Sequence, residues 1–251
     1  MNDIKRRLTP ICSFHYAKLL LRSLLFVLAV IFYVKDRMKS PDSIFSELGS
    51  SFLVLGIVWL IYVVDMSGRF FPARYESMGC QKQFKRNFQP TDDKVPVTTS
   101  GTRTLVVLAV WLLLNGIIGA LYYTGLIDRG ILILISLAYG VCDMICILFF
   151  CPFQTWIMKN RCCTVCRIYN WDFAMMFTPL IFIPGIYTWS LLAMSLLLLL
   201  RWEITYKVHP EYFSDRTNAC LRCANCNEKL CHHKKQLQGF IKKNKARFRF
   251  K

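Results

Sequence analysis

Residues 173–200 read FAMMFTPLIFIPGIYTWSLLAMSLLLLL, an apolar run without a charged residue, interrupted by Pro179 and by Pro184-Gly185. A single helix through this run would put its two ends on opposite faces of a membrane. A break at the prolines would return them to one face, because proline removes a backbone donor and Pro-Gly seeds a turn. The arms on either side of the break, about 11 and 15 residues long, would rise about 17 and 23 Å. Each falls short of a full crossing but suits a re-entrant hairpin shielded by other helices. The alternative is one kinked, tilted helix.

Outward from this run the same composition recurs. The chain has 251 residues, 55% of them hydrophobic, and its apolar blocks at 17–34, 51–66, 104–124 and 130–151 are close to the about 20 residues that cross a bilayer. The first block ends in Tyr33-Val34-Lys35 with no small-residue cleavage site, so a retained helix is expected and not a cleaved signal peptide. The expected fold is an all-α membrane protein with four transmembrane helices, a re-entrant or kinked fifth apolar segment and a small cytosolic Cys-rich metal site. Its expected parts are a transmembrane helical domain over 1–200, a Cys-rich metal-binding segment over 201–233 and a basic tail over 234–251.

Basic residues orient the spans, since cytoplasmic loops are rich in Lys and Arg. Lys5, Arg6, Arg7, Lys18 and Arg22 precede or enter the first block, and Arg69, Arg74, Lys82, Lys85, Arg86, Lys94 and Arg103 follow the second. Both segments belong inside. The links holding Lys35, Arg37 and Lys39 against Asp36, Asp42 and Glu47, and Asp128 beside Arg129, belong outside. The chain then re-enters the cytosol at Lys159, Arg161 and Arg167. A hairpin in the fifth block keeps Lys234, Lys235, Lys242, Lys243, Lys245, Arg247, Arg249 and Lys251 on that same side. The chain is thus expected to be integral to a plasma membrane, of bacterial type, with the cysteine clusters and both termini cytosolic.

The thiols fall into two sets. Cys12, Cys80, Cys142, Cys146 and Cys151 lie in the spans or at their ends and read mostly as small packing groups. Cys162, Cys163 and Cys166 precede the broken run, and Cys220, Cys223, Cys226 and Cys231 follow it. Close-set thiols facing a reducing cytosol are more often metal ligands than disulfides. Cys163-x2-Cys166 is one knuckle, and Cys220-x2-Cys223-x2-Cys226-x4-Cys231 is a longer run in which tight turns aim sulfurs at one ion or cluster. Arg161, Arg167, Arg222 and Lys229 are expected to favour thiolates. Zinc would take four ligands, such as Cys163 and Cys166 with Cys223 and Cys226, and His209, His232 and His233 widen the set. An iron–sulfur cluster would use the four-cysteine run or a set split between the clusters.

The Cys220 to Cys231 run is similar to the ferredoxin-type C-x2-C-x2-C-x3-C-P motif, with a last spacing of four and no following proline. Cys146-x4-Cys151-Pro152-Phe153 loosely resembles the cysteine–proline element of multi-pass membrane ferredoxins. The resemblance implies a 4Fe-4S cluster on Cys220, Cys223, Cys226 and Cys231 and electron transfer near quinones.

Other polar residues also stand out. Asn115 and Asp143 lie within spans, where ionisable or polar groups are costly, and are placed to hydrogen-bond across antiparallel helices, as glue or as a proton or substrate site. Gly116-x3-Ala120 reads as a close helix contact. Tyr169, Asn170, Trp171 and Asp172 with Arg201, Trp202 and Glu203 read as an interfacial belt, or with Asp172 and Glu203 orienting Arg167 and Arg201 beside a metal. The net charge of +17 and a tail with Phe240, Phe248 and Phe250 suit anionic lipid headgroups; no nucleic-acid motif accompanies the charge. No phosphate loop, serine triad, H-E-x-x-H motif or internal repeat is present.

The function expected from these residues is a membrane-anchored iron–sulfur protein that relays electrons between a cytosolic donor and a membrane partner, as an accessory component of an oxidoreductase. The alternative is a zinc-stapled scaffold or small transporter without redox activity. A third reading is thiol redox catalysis with Cys163 and Cys166 as the exchanging pair.

Overall fold

The computed structural model describes residues 10–39, 52–72, 78–97, 101–160 and 162–225. Its long helices are α1 (Pro10–Lys39), α2 (Phe52–Phe70), α4 (Gly101–Tyr123), α5 (Arg129–Leu148) and α7 (Ile186–Val208), with short α3 (Met78–Lys82) and α6 (Asp172–Phe177) between them. No strand occurs among the described residues. Among the described residues three helices are long and apolar enough to cross a membrane: Ser13–Lys35 within α1, α4 and α5. Their outer faces carry Leu24 and Ile31, Leu113 and Ile117 in the open, which would cost about 25 cal/mol per Å² in water and nothing in lipid.

α1 and α5 run antiparallel. Asp128 caps α5 by accepting from Ile131 N at 2.9 Å, and its other oxygen accepts from Tyr33 Oη at 2.9 Å and Arg37 Nη2 at 2.8 Å near the end of α1. Far along both helices Arg22 meets Asp143 at 2.9 Å. α2 and α7 run parallel, because Trp59 Nε1 donates to Ser190 Oγ at 2.8 Å and Arg201 reaches the Phe70 carbonyl eleven or so residues further along each, about 16 Å at helical rise.

The apolar run 173–200 is broken where its prolines stand. α6 passes into a 3-10 turn at Thr178–Phe182, and α7 starts at Ile186. The first arm is short and central. Phe173, Met176, Phe177 and Leu180 are buried, Ser136 Oγ donates to the Met176 carbonyl at 2.8 Å, and Trp111 Nε1 donates to Thr178 Oγ1 at 3.2 Å. The arms pack against each other, and Trp171 Nε1, just before the first arm, donates at 2.8 Å to Glu203, near the end of the second. The segments before and after the run therefore share one end of the bundle.

That end is capped by loop segments. Residues 83–97 lie beside 209–222 through Ala219 N to Gln89 O at 2.8 Å and Thr91 N to Thr217 O at 3.2 Å. Buried Asn218 donates to the carbonyls of Lys82 at 2.9 Å and Tyr212 at 3.0 Å. Below it Phe84 packs edge-on to Trp202 at 5.1 Å, and Phe213 packs on Tyr206 at 5.1 Å.

The close approach on α4 is not at Gly116, where an added Cβ would meet nothing within 4 Å, but at Gly119, where it would lie 2.3 Å from Phe182 Cζ. Gly119→Ala is therefore expected to cost about 1–3 kcal/mol by overpacking, whereas Gly116→Ala leaves the thermal midpoint in detergent unchanged or higher. Equal midpoints for the two variants would refute this packing.

A candidate functional site where thiols meet buried charges

Lys18 and Arg22 are one helical turn apart on α1, so their side chains share a face. Arg22 is 6% exposed. It donates to Asp65 Oδ2 on α2 at 2.9 Å, to Asp143 Oδ2 on α5 at 2.9 Å and to the Gly140 carbonyl at 3.0 Å. Lys18 pairs with the other oxygen of Asp65. Next to this set, Arg69 on α2 pairs with Asp172 at the start of α6 at 2.6 Å. The guanidinium groups of Arg22 and Arg69 lie 5.8 and 5.4 Å from the centroid of the Phe173 ring. Charges this deep survive only when paired and hydrogen-bonded, because each alone would carry several kcal/mol of desolvation.

Asn115 and Asp143 do not meet. Asn115 donates to its own helix at Trp111 O, 3.0 Å away, and Asp143 is taken by Arg22; a charged partner outcompetes an amide. Asp172 likewise goes to Arg69, while Glu203 holds Arg167 through Nε at 3.1 Å and through Nη2. Arg201 turns to the Phe70 carbonyl.

Asp143 and Asp172 also line a pocket of about 130 Å³. α5 contributes Cys142 and Cys146, the turn after it Cys151, and the following loop Cys163 and Cys166. Aromatic walls come from Trp111, Tyr139, Phe153 and Tyr169, with Trp111 4.7 Å from Tyr139 and 6.4 Å from Phe153 between centroids. The chain folds this way because α5 ends at Leu148 and Pro152 opens a π-turn at Phe153–Met158. That turn closes at Lys159 in the left-handed region, φ 53°. Cys151 is thereby folded back until its thiol and that of Cys146 are hydrogen-bonded.

The Cys163-x2-Cys166 knuckle is a tight turn, with Cys166 N donating to Cys163 O at 3.0 Å. Its two thiols differ. Cys163 is half-buried and gives its S–H to Gln154 Oε1 at 2.8 Å. Cys166 is 3% exposed, and burial pushes its thiol up to about 12, against the opposing pull of hydrogen bonds from Asn160 and Ile168 N. The thiolate expected from neighbouring arginines does not arise at Cys166, because burial raises the thiol and Arg167 is turned to Glu203 and to the Tyr206 ring, 4.6 Å away. Cys162 sits outside the pocket against Thr164 Oγ1 at 3.2 Å.

The second cluster lies in the cap. Cys220 donates to Asn87 O at 3.1 Å and its thiol is also raised by burial, with Lys82 opposing; Cys223 is exposed. Cys226, Cys231, His232, His233, Arg161, Lys229 and the basic tail lie outside the described residues. Among the described residues no group of three or more His, Cys, Asp or Glu side chains is placed to hold a metal.

A thiol reagent should therefore discriminate sharply. Exposed Cys223 is expected to alkylate rapidly in the native state at neutral to mildly alkaline pH, while Cys166, protonated and enclosed, stays unmodified until denaturation. Peptide mapping after a timed maleimide pulse reads this, and prompt modification of Cys166 would contradict its burial.

The pocket thiols Cys142, Cys146 and Cys151 read from sequence as packing, and the loop after the second block only as a basic segment. Yet Gln83 in that loop is buried, donates to Thr164 O at 2.7 Å and accepts from Asn170 Nδ2 at 2.8 Å, fixing the knuckle in place. The usable signals were Lys18 and Arg22 inside an apolar block with Asp65 and Asp143 in two others, which must find one another in lipid. No protein-family model, curated protein or solved structure matches this chain.

Proposed function

We infer that this chain is a membrane thiol redox protein that moves electron pairs between two cysteine pairs around one pocket. The observation that carries this reading is the convergence of Cys146, Cys151, Cys163 and Cys166 on the same cavity, with Cys146 and Cys151 already hydrogen-bonded. Cys163, the more accessible member of its pair, attacks a sulfur of a Cys146–Cys151 disulfide. The displaced sulfur takes up a proton, and Cys166 then resolves the mixed disulfide. One S–S bond breaks and one forms, and two electrons and two protons move from the knuckle to the α5 pair. A cytosolic dithiol protein recharges the knuckle. In this reading α2 is a fourth crossing, the first arm of the broken run re-enters from the cytosol, and the basic tail rests on anionic headgroups.

The test is the full chain in phospholipid nanodiscs, equilibrated anaerobically in a thiol–disulfide buffer series, quenched with maleimide and mapped. Two disulfides, Cys146–Cys151 and Cys163–Cys166, should form reversibly, and Cys163→Ser should abolish exchange while leaving the α5 pair oxidisable. If neither pair oxidises under any buffer, the reading fails.

A metal-based relay is the second reading. It is favoured by the placement of Cys220 and Cys223 in two consecutive 3-10 turns, Ala219–Leu221 and Cys223–Asn225, a geometry suited to a two-residue knuckle. With Cys226 and Cys231 these residues would hold an iron–sulfur cluster, or zinc in the scaffold alternative. Anaerobic metal analysis separates the cases: iron with acid-labile sulfide, or stoichiometric zinc, lost in Cys220→Ser.

A further inference from the structure

We propose that the pocket binds the ring of a quinone and that this quinone is the electron acceptor for the Cys146–Cys151 dithiol, an inference that rests on the thiol redox reading above. Three features of the cavity select this chemical class. Its volume of about 130 Å³ is comparable to the about 150 Å³ of an apolar cavity that takes up benzene, so it admits one six-membered ring. Its walls offer Trp111, Tyr139, Phe153 and Tyr169, which suit a flat π-system stacked or met edge-on. Finally, Asp172 is buried, gives one oxygen to Arg69 and leaves Oδ1 without a hydrogen-bond partner among the described residues. A hydroquinone O–H can donate to that oxygen.

A lipid acyl chain would fill the same volume but offers no donor to Asp172 and accepts no electrons. A metal ion would need a ligand group that the described residues do not form. In the step itself the S–H bonds of Cys146 and Cys151 break, an S–S bond forms between them, and two electrons and two protons pass to the two carbonyl oxygens of the ring. Quinone becomes hydroquinone and dithiol becomes disulfide, with nothing left over. The reduced product leaves through the lipid, where it is soluble, and the α5 pair is ready to be reduced again by the knuckle.

The experiment uses the full chain, pre-reduced, in nanodiscs under anaerobic conditions with duroquinone, whose four methyl groups block addition of thiols to the ring. Conversion to the hydroquinone is followed by absorbance, and the protein is mapped for a Cys146–Cys151 disulfide formed in step with it. Trp111→Ala is expected to raise about tenfold the duroquinone concentration that half-saturates the rate of this single oxidation, its KM, the equivalent of about 1.4 kcal/mol of lost ring contact, with the limiting rate little changed, and Trp111→Phe to restore it. Cys151→Ser should abolish this oxidation. If both pairs cycle with a soluble disulfide buffer but duroquinone is neither reduced nor competes, the quinone assignment is overturned and the thiol reading stands. If duroquinone oxidises the wild type and Trp111→Ala with equal KM, it acts outside the pocket and the assignment is likewise overturned. If no pair cycles with any oxidant, both fall together.

Discussion

Arg22→Leu is expected to destabilise the chain by about 3–5 kcal/mol, because it removes the buried cation shared by two half-buried carboxylates and leaves Asp143 without that partner, while Lys18 still holds Asp65. Arg22 reaches Asp65 and Asp143 at 2.9 Å each, so its loss affects the contacts of α1 with both α2 and α5. The double variant Arg22→Leu, Asp143→Asn removes the cation together with the carboxylate it holds on α5 and leaves the Lys18–Asp65 pair in place, and most of the stability should return, since a buried ion pair is worth little against an uncharged replacement. Unfolding in detergent with increasing denaturant reads both variants. A single variant as stable as wild type would mean the charges are not desolvated; a double variant no better than the single would mean that Asp143 holds the helices by contacts other than the pair.

Phe173→Ala should cost about 3–5 kcal/mol, the range for emptying an aromatic site in a close-packed interior. The ring is 1% exposed, lies 6.3 Å from Phe177 in a stacked arrangement and faces the guanidinium groups of Arg22 and Arg69. Phe173→Leu separates the contributions. It restores most of the volume but offers no π-face to the cations, each worth about 0.5–2 kcal/mol. An intermediate loss for Leu assigns part of the stability to the cations; a loss equal to that of Ala would show that ring shape, not volume, is what the site requires. Either outcome bears on the pocket, because Phe173 directly follows Asp172 and any shift of α6 moves that carboxylate.

The break at Pro184-Gly185 was legible because proline and glycine restrict or free the backbone locally, whatever surrounds them. The long apolar helices were legible for the same kind of reason: their composition excludes them from water over the length of a bilayer. The cysteine knuckle at 163–166 was visible as a spacing, and the structure gives it a tight turn. Its chemistry was not visible. Cys166 stays a thiol because burial raises it, and Arg167 does not offset that burial, being turned to Glu203, 36 residues away in the chain. Asn115 and Asp143 were flagged correctly as costly but matched to each other wrongly, since depth along two helices does not say which faces meet.

The sequence by itself determined that this chain is helical, apolar over blocks long enough to cross a membrane, marked by Pro179 and Pro184-Gly185 in its last apolar run, and rich in thiols on either side of that run. Those properties follow from hydropathy, span length and backbone chemistry, which act over a few residues. Only the tertiary structure decided which charges pair and which thiols share a cavity. Arg22 with Asp143 and Cys151 with Cys166 are brought together by helix packing and by the π-turn after Pro152, and the low dielectric of a packed interior then sets whether each group is paired, protonated or reactive.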